Sequence, residues 1–169
     1  MNGQMQEREK IGFVYTVEVV RAGRVIERET IHNLMPVVAL NHALSVLVKN
    51  AAQAAGWYIG LYEGDYTPVA TDTTANFPTD AVECTAYNEA ARVAFTPGAV
   101  AAGAVDNSAA RAEFTLSAEK TVYGGFIASV AAKGALTGTL LSAVKFGSAK
   151  QLDAGDVLRV TAGLTLTSA

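Results

Sequence analysis

The stretch IGFVYTVEVVRAGRVIERETI, residues 11–31, decides how the rest of the chain is read. Ile11, Phe13, Tyr15, Val17 and Val19 fall on one side of an extended backbone. Gly12, Val14, Thr16, Glu18 and Val20 fall on the other. A period of two in β-branched and aromatic residues is the signature of a strand with one buried face. Arg21-Ala22-Gly23 then supplies a short turn, because glycine takes a positive φ at no steric cost. The chain resumes over residues 24–31, where Val25 and Ile31 sit among Glu27, Arg28 and Glu29. The two halves form a β-hairpin with one polar face.

After the hairpin the period changes. Asn33 offers a helix cap and Pro36 suits a first helical turn. Val37, Leu40, Leu44, Leu47 and Val48 recur at steps of three and four, which predicts an amphipathic helix laid on a sheet by that stripe. It ends near Lys49-Asn50, where a basic side chain complements the helix C-terminus. From Trp57 onward the texture is β and loop. Strands are predicted over residues 57–62, 82–87, 92–95, 112–116, 122–130, 139–146 and 157–166, with turns at Lys133-Gly134, Gly147-Ser148 and Ala154-Gly155-Asp156. Residues 63–78 form a long polar loop, a kind of segment that often carries a contact. Short strands at regular spacing, with no helices between them, predict a mainly β chain. The expected architecture is a β-sandwich or jelly-roll-like body (51–169) joined to an N-terminal β-hairpin and one amphipathic α-helix (1–50), together making one structural unit.

Composition narrows the function. Of 169 residues, 50% are hydrophobic and only 17% charged, with few aromatics. Mean hydropathy is +0.23. Abundant small Ala side chains raise that value, and so does surface that is covered by other subunits. Thirteen Lys+Arg against 16 Asp+Glu give a net charge of −3, which argues against direct nucleic-acid binding. No stretch approaches the roughly 20 apolar residues of a membrane span. Residues 1–10 are polar and lack a signal-peptide core, which predicts synthesis in the cytosol.

Candidate chemistry is thin. His32 and His42 straddle the expected helix start and read as helix-entry and surface residues. Cys84 lies mid-strand and reads as a buried structural thiol, with no second cysteine to pair it. Glu63, Asp65, Asp72, Asp153 and Asp156 are loop carboxylates, but the spacing of a calcium loop is absent and aspartate is the usual residue of such turns. Gly124-Gly125 falls inside an apolar β run, where paired glycines mark a bulge or a close backbone approach. Glu83 and Glu89 carry nothing that separates them from solvent-facing acids. No catalytic, cofactor-binding or metal-ligating residue is assigned.

Ordered pieces along nearly the whole chain carry a resemblance. They are Ile31-His32-Asn33-Leu34 followed by Leu40-Asn41-His42-Ala43-Leu44, then Trp57-Tyr58-Ile59-Gly60-Leu61, then the run from Glu83 through Tyr87 to Arg92. Asp106-Asn107-Ser108-Ala109, Val122-Tyr123-Gly124-Gly125-Phe126-Ile127, Gly138-Thr139-Leu140-Leu141-Ser142 and Gly155-Asp156-Val157-Leu158 complete the order. In this order the chain resembles a family of small tailed-bacteriophage virion structural proteins. The resemblance implies a protein without enzymatic activity, at home in the virion. The implied role is a decoration or cement protein that binds the major capsid protein on the outer surface and self-associates as a symmetric dimer or trimer. A tail or connector component is the alternative, and a carbohydrate-binding β-sandwich a lesser one. On this reading the hairpin is a contact arm and the later β body forms the oligomer. The expected contacts are Phe13, Tyr15, Val17, Val19, Arg21, Arg24 and Arg28, with Tyr66 and Phe77 from the long loop.

Overall fold

The computed structural model describes residues 11–166 as two antiparallel sheets packed face to face, with one long helix beside them. Strands β1 (Phe13–Arg21) and β2 (Arg24–His32) are the hairpin read from the sequence. Its two-residue turn places Ala22 at φ 48° and Gly23 at φ 75°, the left-handed pair that matches strand twist. The register steps from Val19–Glu27 to Val20–Val25, so Ile26 is an unmatched bulge residue. α1 (Val37–Lys49) follows, then β3 (Tyr58–Tyr62), a single helical turn α2 (Phe77–Asp80), and short strands β4 (Glu83–Cys84) and β5 (Val93–Ala94). The chain closes with β6 (Ala104–Asp106), β7 (Ala112–Thr115), β8 (Lys120–Ala128), β9 (Leu140–Leu152) and β10 (Val157–Thr165).

The first sheet runs β2-β1-β10, with β6 and β7 sharing the far side of β10. The second runs β3-β8-β9, with β4 and β5 sharing the far side of β3. β1 therefore lies inside its sheet. It is paired with β2 on one side and, from Phe13–Leu164 to Val20–Val157, with β10 on the other. Hairpin and body are thus one hydrogen-bonded unit rather than a body with a projecting arm.

The main core fills the space between the sheets with Tyr15, Val17, Ile59, Leu61, Phe114, Ile127 and Leu158. A second cluster covers the opposite face of the second sheet, where Phe77 stands edge-on to Tyr62 and Phe126. That cluster explains the long segment after β3. The segment folds back as a flap pinned by Asp72, whose carboxylate accepts the Tyr66 hydroxyl and the Val69 amide, each at 2.8 Å. Gly124 shows why a paired glycine was needed. A Cβ there would strike the Val144 carbonyl and the Tyr62 ring, and the β8–β9 register shifts at the same point.

Three expectations change. Gly147-Ser148 is not a turn, since β9 continues through it to Leu152. Asn33 does not cap α1. Its amide nitrogen donates to the Leu34 carbonyl and the Ser142 hydroxyl, while its oxygen accepts from the Phe13 amide, tying hairpin to β9. The third is the face of α1. The helix lies on β9 with Ala39 buried and Val38, His42 and Val46 partly covered, whereas Val37, Leu40, Leu44, Leu47 and Val48 point to solvent. Ala39 allows the closer approach, and two backbone bonds between Leu34 and Ala143 hold the chain against β9 at the helix entry.

Candidate functional site

The buried ionisable groups come first, because a reactive site needs one that is poised and free. Arg92 has a fully buried side chain. Its guanidinium donates to both oxygens of Glu83 at 2.8 and 2.7 Å, and to the carbonyls of Val130 and Ala135. It also lies 5.0 Å from the centre of the Phe126 ring. Four of the five guanidinium N–H groups are thereby used. Lys150 is equally buried, with Nζ held 2.5 Å from both Glu27 and Glu29 on β2. Burial alone pulls its pKa down, but hydrogen bonds to the two carboxylates outweigh that, and the ammonium is held above its ordinary range. Both are cross-braces. Arg92 joins the loop after β8 to the β4–β5 edge, and Lys150 locks the outer strand of one sheet onto the outer strand of the other.

The remaining candidates are used in the same way. Asp156 is buried in the β9–β10 turn, accepts the Asp153 amide at 2.9 Å and is gripped by Arg21. The Arg21 hydrogen bond holds its carboxyl below the ordinary 3.8. Glu89 accepts the Thr115 amide at 3.1 Å. His42 sits edge-on to Trp57 with ring centres 5.6 Å apart, while His32 is exposed. Cys84 is buried, and desolvation pushes its thiol up and away from the reactive thiolate. Among the described residues no group of three His, Cys, Asp or Glu is placed to hold a metal ion. No helix there is long and apolar enough to cross a membrane.

Two open clefts indent the surface. One, of about 340 Å³, is lined by small residues around Gly98, Ala104 and Asp106. The other, about 280 Å³, lies between His32, Pro68 and Lys145. Asp106 already accepts the Ser108 amide at 2.8 Å, and Lys145 is paired with Asp65 at 2.5 Å. Neither cleft gathers converging unsatisfied polar groups.

The predicted contact residues divide sharply. Phe13, Tyr15, Val17 and Val19 are core residues, at most 3% exposed, because they are the inward face of an internal strand. Tyr15 even spends its hydroxyl inside, 2.6 Å from Ser142. Phe77 is fully buried beneath the flap, and Tyr66 is half-buried with its hydroxyl on Asp72. These six do not form a docking face. Arg21, Arg24 and Arg28 are exposed around the β1–β2 hairpin, though Arg21 is committed to Asp153 and Asp156 and Arg28 lies 3.8 Å from Glu18. The structure does not bring the nine together.

What it exposes instead is the outer face of α1. Leu44, Leu47 and Val48 are 56%, 81% and 70% exposed, flanked along the helix by Val37 and Leu40. Isolated exposed apolar side chains are ordinary, but five on one helix face form a patch, and patches mark interaction sites. The signal was in the sequence as the very stripe assigned to the core. Val38, Ala39 and Val46 on the opposite side were the clue that one stripe would be left over. In comparisons with known proteins, the chain matches no family model and no curated protein.

Proposed function

We propose that this chain is a non-enzymatic structural protein of a tailed-phage particle, a decoration or cement protein seated on the outside of the capsid. Its partners are the major capsid protein and copies of itself in a symmetric oligomer. The observation that carries the reading is the solvent-facing apolar side of α1 on a body whose buried charges are all spent on bracing the fold. A component of this kind works by adding contact area at many equivalent joints, each of modest size because symmetry repeats it. Low charge and abundant small side chains suit such extended packing, and the family resemblance points the same way.

The test is mass spectrometry of purified particles of the encoding phage, with heads and tails separated, followed by imaging at residue resolution. Recovery with heads, at a copy number set by capsid symmetry, is the expected result. Recovery with tails replaces the decoration role by that of a tail or connector component. Absence from both overturns the reading.

A further inference from the structure

We infer that the outer face of α1 is the site of self-association, and that a second copy of this chain packs on it antiparallel across a two-fold axis near Leu44. The inference rests on the proposed assembly role only in taking a like copy as the occupant. Its first support is the helix itself. Val38, Ala39, His42 and Val46 form the covered side of the helix, and Val37, Leu40, Leu44, Leu47 and Val48 lie about half a turn round it from them. A helix that is apolar on both faces is a buried helix, and the described residues supply cover for one face alone.

The second support is what could cover the other. Outside the described residues the chain offers Met1–Lys10, MNGQMQEREK, and the C-terminal Thr-Ser-Ala, whose large apolar side chains are Met1 and Met5. Neither sequence matches a five-residue aliphatic stripe. A like helix does. Val37, Leu40, Leu44 and Leu47 follow the alternating three-and-four spacing of a helix-pairing seam, so the same residues serve as knobs and as holes. The patch is on the order of 500 Å² per chain, already at the upper range for a free monomer. Covering it in both copies buries about 1,000 Å², the lower bound of a specific interface.

Charge sets the direction. The first turn of α1 carries no acidic residue and the last turn carries Lys49. A parallel pair would bring two Lys49 side chains and two like helix termini together. An antiparallel pair sets each negative C-terminal end against a positive N-terminal end and separates the lysines. A two-fold at Leu44 then pairs Leu44 with its own copy and Leu40 with Val48 of the second copy.

Sedimentation and light scattering on the full chain, up to about 100 µM because interfaces of this size can be micromolar, test the association. The expected wild-type mass is that of a dimer, and Leu44→Glu is expected to sediment as a monomer with an unchanged circular dichroism spectrum. Leu47→Glu, at the most exposed position of the stripe, repeats the test should Leu44→Glu fail to fold. Direction is read by oxidative cross-linking, since the single native thiol, Cys84, is buried. Leu44→Cys is expected to link to itself, and Leu40→Cys to link to Val48→Cys in a mixture but not to itself. A monomeric wild type, a dimer that survives both glutamates, or a Leu40→Cys self-link overturns the inference. A monomer that binds capsids, and loses them on Leu44→Glu, hands the face to the capsid protein and leaves the proposed function standing. A dimer absent from particles does the reverse.

Discussion

Arg92→Met is the perturbation whose cost can be worked most directly from the structure. The wild-type guanidinium makes two charged hydrogen bonds to Glu83, at 2.8 and 2.7 Å, and two to main-chain carbonyls, at 3.0 and 3.2 Å. Methionine fills most of the volume over Phe126 but donates nothing. Glu83 is left 3% exposed, with the Gly134 amide at 2.9 Å as its remaining hydrogen-bond donor. Breaking a buried pair from one side typically costs 3–5 kcal/mol, so a loss of about 4 kcal/mol is expected. At roughly 2–4 °C per kcal/mol for a chain of this size, the midpoint should fall by about 10–15 °C. Removing both charges is different. Arg92→Met with Glu83→Leu leaves no orphaned carboxylate, and the double variant should recover at least about 2 kcal/mol of the summed single losses. Urea titration followed by circular dichroism and by Trp57 fluorescence measures all four corners of the cycle, Trp57 being the lone tryptophan and packed against the core. A single-variant loss below about 1 kcal/mol, or strictly additive losses, refutes the view that this pair is a desolvated brace.

Two further predictions concern the glycines and pH. Gly124→Ala is expected to cost at least about 2–3 kcal/mol through collision with the Val144 carbonyl and the Tyr62 ring. Gly134→Ala, at φ +72° in open space, should cost only about 1–2 kcal/mol, and thermal melts that reverse this order would contradict the packing described for β8. For pH, Asp156 and Asp106 are held below the ordinary carboxylate value of 3.8 by hydrogen bonds from Arg21 and around Ser108 respectively. A depressed folded-state pKa gives stability that is present above 3.8 and is lost as pH falls through the folded value, so melting temperature should drop in acid. Asp156→Asn should flatten that limb. On the alkaline side, burial raises Tyr15 and Tyr62 above 10.0 and lifts Tyr66 to about 12, and Lys150 is raised above 10.5. Their contribution is complete below these unfolded values and declines as pH climbs past them, giving a stability plateau bounded at both ends. A melting temperature flat from pH 3 to pH 11 would remove these groups from the stability account.

How much of this was legible beforehand depended on the range of the interaction. β1 and β2 were readable because alternation and a left-handed turn are local properties, written within a few residues. The extent of α1 was readable for the same reason. β6 was not. Its three residues, Ala104 to Asp106, are strand only because β10 offers them a partner. Phe77 looked like a loop aromatic available for contact, and nothing near it in the chain announces the pocket formed by Tyr62 and Phe126. Nothing local marks Lys150 and Arg92 as buried, because their carboxylates are distant, as with Glu27, or belong to another strand, as with Glu83. Phe13 through Val19 failed as contact residues by a related error. Alternation identifies a face that will be covered without saying what covers it, and for Phe13 through Val19 the cover is the chain's own second sheet. The same logic turns the other way for α1. Its Leu40–Leu44–Leu47 stripe reads as a covered face just as plainly, yet the sheet is already occupied by Val38 and Ala39. A periodic apolar stripe that the fold leaves in water is a place where sequence and monomer disagree, and the second copy inferred above is what would resolve it.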